Sequence, residues 1–225
     1  MQTEFSRTLG IEVPLICGAM YPCSNPELVA AVSEAGGIGI IQPLSLTYVH
    51  GYDLRDGLRY IRSLTSKPVG INFIIEQSSK KYLKRVHQWV DIALEEEIPF
   101  FVTALGNPRW VVDKARPAGV TVYHDVTSRR WAEKALEGGV DGFICVNNRA
   151  GGHAGTLSPQ QLLDELAPLH KPLICAGGIG GPLEFARAIA MGYSGAQLGT
   201  RFIATPECAA SDAYKEAIVS AGEDD

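Results

Sequence analysis

The chain has 225 residues, 46% hydrophobic and 20% charged, a balance suited to one globular domain with a sizeable core. Its formal net charge of −5, with lysine and arginine never gathered into a long block, argues against nucleic-acid binding. There is no run of about 18 apolar residues, and the opening Met1-Gln-Thr-Glu-Phe5 lacks the apolar stretch of a signal peptide. The expectation is a cytoplasmic protein with no membrane partner.

Short apolar runs alternate with amphipathic stretches along the whole chain. The first run, 13–18, precedes a helix opened by Asn25-Pro26-Glu27, with Asn25 as N-cap and Pro26 in the first helical position, and closed at Gly36-Gly37. Run 37–42 precedes a helix over 53–64 with weaker capping signals. Run 69–74 precedes a stretch in which Lys80, Lys81, Lys84 and Arg85 fall at helical spacing, read as a solvated helix face. Run 100–105 leads to a helix opened by Asn107-Pro108, and run 121–126 to one opened by Thr127-Ser128 and ending at Gly138-Gly139. Run 142–147 passes through a glycine-rich loop to a helix opened by Ser158-Pro159. Run 172–177 leads to a helix from Gly181-Pro182 to Gly192, and run 195–200 to one opened by Thr205-Pro206-Glu207 with Gly222 near its end. The chain closes on the acidic Glu223-Asp224-Asp225.

Runs that are largely apolar fit strands buried on both faces. Eight of them in strict alternation with helices predict an α/β protein, a (β/α)8 TIM barrel forming a single domain over residues 1–225. A doubly wound open sheet would place its glycine fingerprint after the first strand, whereas here glycine concentrates after the sixth, seventh and eighth. The five cysteines, Cys17, Cys23, Cys145, Cys175 and Cys208, are odd in number and form no CxxC. They point to neither a disulfide framework nor a zinc site, but to small buried hydrophobes.

In such a barrel, chemistry sits in the loops that follow the strands. The segment Arg149-Ala-Gly-Gly-His-Ala-Gly155 puts His153 in a glycine-rich loop after the sixth strand. Histidine is the side chain best suited to moving protons near neutral pH. A lone histidine is more often structural, but the glycine setting at a strand end favours a catalytic one. Gly177-Gly178-Ile179-Gly180 and Gly199-Thr200-Arg201 follow the seventh and eighth strands, where such barrels recurrently bind phosphate. The plainer alternative is that these glycines only make tight turns, and that Arg201 pairs structurally. Gly18, Ala19 and Met20 are small or flexible enough for a flat ring to lie against the first loop, and Asn72 ends the third strand with an amide. His124 and Asp125 end the fifth strand and are expected at the mouth, either lining it or pairing with each other; Ser24 and Gln42 are weaker mouth candidates. No Ser-His-Asp order, HExxH or carboxylate cluster supports a hydrolase or a metalloenzyme.

These motifs resemble the nitronate monooxygenase family of FMN-dependent TIM barrels. The resemblance runs through Pro14-Leu-Ile-Cys-Gly-Ala-Met20, Asn25-Pro-Glu-Leu-Val-Ala-Ala-Val-Ser-Glu-Ala-Gly-Gly37, Gly70-Ile-Asn72, Ala150-Gly-Gly-His-Ala-Gly155, Ala176-Gly-Gly-Ile179 and Gly199-Thr-Arg-Phe202, nearly the whole chain. It implies FMN as cofactor, with Gly18, Ala19 and Met20 along the isoalloxazine and Asn72 touching it. It also implies Gly177, Gly178, Gly199 and Thr200 at the phosphate, Gly152 and His124 in the cofactor's surroundings, and His153 near the reactive face. The implied reaction oxidises a small nitroalkane or nitronate with oxygen, His153 deprotonating or orienting the substrate. Whether the chain pairs as a homodimer is left open by the sequence.

FMN-dependent enoyl-acyl-carrier-protein reductases, which use NAD(P)H, share much of this pattern and form the first rival. The second is a non-redox phosphate-binding barrel or an incomplete flavin-binding scaffold. An aldolase version of it would want a lysine at a strand end, whereas Lys67 and Lys171 precede strands. Two departures from the family stand out. Asp125 occupies a place where some members carry lysine, and members usually continue beyond the last barrel helix with residues that help roof the pocket, an extension expected to be absent here.

Overall fold

A strand buried on both faces needs partners on both edges and a covering layer, and parallel pairing through helical crossovers supplies both. In the computed structural model, which describes residues 2–222, eight parallel strands close into a barrel in sequence order. They are β1 (Leu15–Cys17), β2 (Ile38–Ile41), β3 (Gly70–Ile74), β4 (Phe100–Ala104), β5 (Thr121–Val126), β6 (Gly142–Val146), β7 (Leu173–Ala176) and β8 (Gly195–Leu198). The helices are α1 (Glu4–Leu9), α2 (Pro26–Glu34), α3 (Leu54–Leu64), α4 (Lys80–Glu95), α5 (Arg109–Ala115), α6 (Arg129–Glu137), α7 (Pro159–Leu166), α8 (Pro182–Met191), α9 (Thr200–Ile203) and α10 (Asp212–Ser220). None of the described helices is long and apolar enough to cross a membrane. The acidic ending, 223–225, and Met1 lie outside the described residues.

Alternation along each strand divides the core in two. Ile16, Ile38, Ile40, Phe100, Val102, Tyr123, Ile144 and Ile174 fill the barrel interior. Ile41, Ile71, Phe73, Phe101, Val122, Val126, Phe143, Cys145 and Cys175 face outward, packed with apolar residues of the surrounding helices. All five cysteines are free and buried.

Several elements differ from the sequence expectation. Helix α1 forms in a segment too short and polar to signal a helix in sequence. A capping box between Thr3 and Ser6 starts it. It carries the fully buried Phe5 to within 5.8 Å of Phe100 and 5.7 Å of Tyr123, between ring centroids. Phe5 thereby stoppers the N-terminal end of the barrel. Asn25 has the extended backbone of an N-cap but makes no capping bond. Its amide instead donates to Glu27 Oε2 (2.8 Å) and the Glu207 carbonyl (2.9 Å), and its oxygen accepts from Ala209 N (2.9 Å). Asp53 caps α3 directly, accepting from Arg55 N at 3.0 Å. Thr205 does not open the last helix, because its hydroxyl donates back to the Phe202 carbonyl and closes α9. Ser211 caps α10, which starts at Asp212. The eighth strand ends at Leu198, so Gly199 and Thr200 leave the sheet and begin α9.

Candidate active site

The barrel interior turns polar toward the C-terminal ends of its strands. Asn72 pairs with Val102, Asp125 with Ile144, and Gln197 with Ile16 and Ala176, so all three share the inward parity of those apolar residues. The Asn72 amide donates to the Val102 carbonyl at 3.3 Å. The Gln197 side chain lies under the first loop, where a Cβ on Gly18 would stand 3.0 Å from its Cδ. Gln42 accepts from Ser45 N at 2.6 Å and so shapes the loop after β2. Asp125 differs from these: its Oδ1 is buried and has no hydrogen-bond partner, and burial raises its pKa to about 7.

The loops above this polar ring lean on one another. Gly18 N donates to the Leu198 carbonyl (2.9 Å), and a Cβ on Gly199 would stand 3.3 Å from Met20 Sδ, so the loops after β1 and β8 meet. Ser24 accepts from Met20 N at 2.8 Å, fixing the first loop from beneath rather than lining the mouth. After β7, Gly177 (φ +117°) and Gly178 (φ +73°) adopt backbone that side chains rarely take. A Cβ on Gly177 would fall 2.6 Å from both Ala150 N and Asn147 Oδ1, and one on Gly178 3.0 Å from the Arg149 side chain. A Cβ on Gly151 would fall 2.9 Å from Thr200 Oγ1. The loop after β6 is thus pressed onto the loops after β7 and β8, which gathers Arg149, Gly151, Gly177, Gly178 and Thr200 in one place.

The fully buried Asn147 holds that loop. Its amide donates to the Gly177 carbonyl (3.0 Å) and its oxygen accepts from Arg149 N (2.8 Å). Gly155 N to the Asn147 carbonyl (3.2 Å) and Asn148 N to the Leu157 carbonyl (2.9 Å) tie the neck. Gly152 and His153 lie exposed on the outer limb, with no atom near the Cβ position of Gly152. Asn147 and Gln197 were missed in the sequence; the available signal was a polar residue inside or just after an otherwise apolar strand.

His124 requires a correction. It pairs with Thr103 and Phe143, the outward-facing residues of its neighbours, and its Nδ1 lies 2.8 Å from Thr103 Oγ1. Its ring sits on the outer side of the sheet, so it neither faces the mouth nor pairs with Asp125. Burial lowers its pKa to about 4, leaving it neutral. Arg201 donates from Nε to the Gly180 carbonyl and braces the β7 loop.

The arrangement has the parts for a flat ligand that carries a phosphate. Glycine backbone that leaves no room for side chains sits beside two arginines on the β7–β8 side, and a ring of amides and one carboxyl lies below. Among the described residues no cluster of histidine, cysteine and carboxylate could hold a metal ion.

Comparison with known proteins gives this geometry a context. The family model described as nitronate monooxygenase matches residues 2–225. A curated relative from Rhodococcus jostii (strain RHA1), a (3aS,4S,5R,7aS)-5-hydroxy-7a-methyl-1-oxo-octahydro-1H-indene-4-carboxyl-CoA dehydrogenase, is 28% identical over 99% of this chain and 61% of its own length. The structure of FabK from Thermotoga maritima is 32% identical with a TM-score of 0.87, over 99% of this chain and 69% of that one. The nitroalkane oxidase of Streptomyces ansochromogenes is 25% identical with a TM-score of 0.80, over 92% of this chain and 70% of that one. The chain spans about three fifths of the length of the curated relatives it matches first (61% and 62%).

Proposed function

The chain belongs to the nitronate monooxygenase family, and on that premise we propose that it is an FMN-dependent oxidoreductase that oxidises small nitroalkanes or their nitronates with oxygen. The observation that carries the reading is the β6 loop, with His153 on its outer limb, pressed onto the glycines after β7 and β8. The residues fit the cofactor by their shape: Gly177 and Gly178 hold a backbone that any Cβ would collide with, and Asp125 leaves a buried oxygen for a ligand to satisfy.

In this reading the backbone of Gly177, Gly178, Gly199 and Thr200, with Arg149 beside them, holds the phosphate. Gly18, Ala19, Met20 and Asn72 border the ring, and the loop containing Gly152 covers it. When bound, FMN would supply the redox chemistry. The protein's own residues bind and orient the substrate, and His153 accepts the proton from the carbon bearing the nitro group. His124, on the outer side of the sheet, has no part in it.

The test is His153→Ala with two substrates. The variant is expected to lose neutral nitroalkane turnover by about 10²–10⁴-fold while retaining oxidation of the preformed nitronate, which has no proton to give up. Full turnover of both by a variant that keeps its flavin would sink the role of His153. A second reading is favoured by the 32% identity to FabK and by the CoA-thioester relative: the same flavin site acting on a thioester. Rapid NADPH oxidation with a crotonyl thioester, and none of nitronate, would select it.

A further inference from the structure

We propose that the carboxyl of Asp125, through its unpartnered Oδ1, binds the flavin ring directly from inside the barrel; this rests on the FMN reading above. Among the described residues, its Oδ1 is the only buried side-chain nitrogen or oxygen without a hydrogen-bond partner. Leaving such a group unpaired is costly, so it marks a place where the protein alone is incomplete.

The neighbours of Asp125 supply no partner. Alternation points it inward at the C-terminal end of β5, beside Ile144 and Val146 of β6 and Ala104 of β4. Asn72, further round the ring, already donates to Val102. The titratable groups nearby are neutral as well. Tyr123, two residues earlier on the same face, has its phenol pushed well up by burial. Cys145 and His124 lie on the outer side of the sheet, the thiol raised by burial and the imidazole lowered to about 4. Arg149 and His153 belong to the loop above the mouth.

A buried carboxyl with no cation against it holds its proton to higher pH than an exposed one, here to about 7. In that state it presents a donor and an acceptor side by side; ionised, it can only accept. The imide edge of an isoalloxazine offers a carbonyl next to an N–H, the complementary pattern. Ionisation removes one of the two bonds and puts a charge against the ring.

The experiment measures FMN affinity of wild type and Asp125→Asn, by quenching of flavin fluorescence, at about pH 6 and about pH 8.5. The titration of the FMN phosphate near pH 6 affects both proteins alike. Wild type is expected to lose about tenfold more affinity than the variant over this interval, about 1.4 kcal/mol. Parallel losses overturn the assignment while leaving the FMN reading intact. Failure of wild type to take up FMN overturns both. Should the variant not fold, infrared spectra of wild type decide: the neutral carboxyl stretch shifts when FMN is added, and a stretch indifferent to FMN overturns the proposal.

Discussion

Asp125 and His124 are adjacent, and their environments push their pKa values in opposite directions. Asp125 is raised from 3.8 to about 7, so between those values the folded protein holds a proton that the unfolded chain has released. Its effect is to lower stability as pH rises through that window. His124 is lowered from 6.5 to about 4, so between those values the unfolded chain holds a proton that the folded protein refuses. Its effect is to raise stability with pH. Each slope is about 1.4 kcal/mol per pH unit, and where the windows overlap they cancel. Wild type is therefore expected to be nearly flat between about pH 4 and 6.5, as far as these two groups are concerned. In urea titrations, Asp125→Asn should become steadily more stable with rising pH over that range, and His124→Gln steadily less. Variants whose pH profiles overlay wild type would contradict these environments.

At the scale of elements, the barrel depends on close backbone contacts that admit only glycine. A Cβ at Gly39 would lie 2.2 Å from the Val29 carbonyl oxygen, because α2 rests directly on β2. Gly39→Ala must push helix from strand, at an expected cost of roughly 1–3 kcal/mol by analogy with overpacked cores, read as a lower urea midpoint. At Gly177 the collision is with the β6 loop rather than the core. Gly177→Ala should therefore weaken FMN binding along with stability, and a variant that binds FMN as wild type does would separate that glycine from the cofactor. The C-terminal segment is held differently. Helix α10 has no buried residue, and Asn25 bonds the Glu207 and Ala209 backbone that precedes it. Asn25→Ala should speed hydrogen exchange across 205–222 before affecting the barrel strands, whereas uniform exchange throughout would assign Asn25 a wider role. A short polar side chain in front of a proline, as at Asn25, looks the same in sequence whether it caps its own helix or ties down a distant turn.

For the whole molecule, the barrel was legible because each parallel strand is covered on both faces and reads as a largely apolar run without clear alternation. That same continuity hides which residues face inward. The run 121–126 carries no alternation to fix its parity, so His124 and Asp125 were both expected at the mouth, and only the register with β4 and β6 separates them. Helix α1 was hidden for the opposite reason: its contribution is one phenylalanine whose partners, Phe100 and Tyr123, lie about a hundred residues away. The glycine loops were legible as a set, but the contact of the β6 loop with the other two belongs to the fold. The central claim is that these loops form one flavin site that draws electrons from a nitronate. It is tested most directly by titrating the purified protein with FMN and then adding nitronate without oxygen, following the visible flavin absorption. The account predicts stoichiometric uptake of FMN and bleaching of its bands by nitronate. Bound flavin that ignores nitronate and bleaches with NADPH would contradict the substrate, and protein that takes up no FMN would contradict the site.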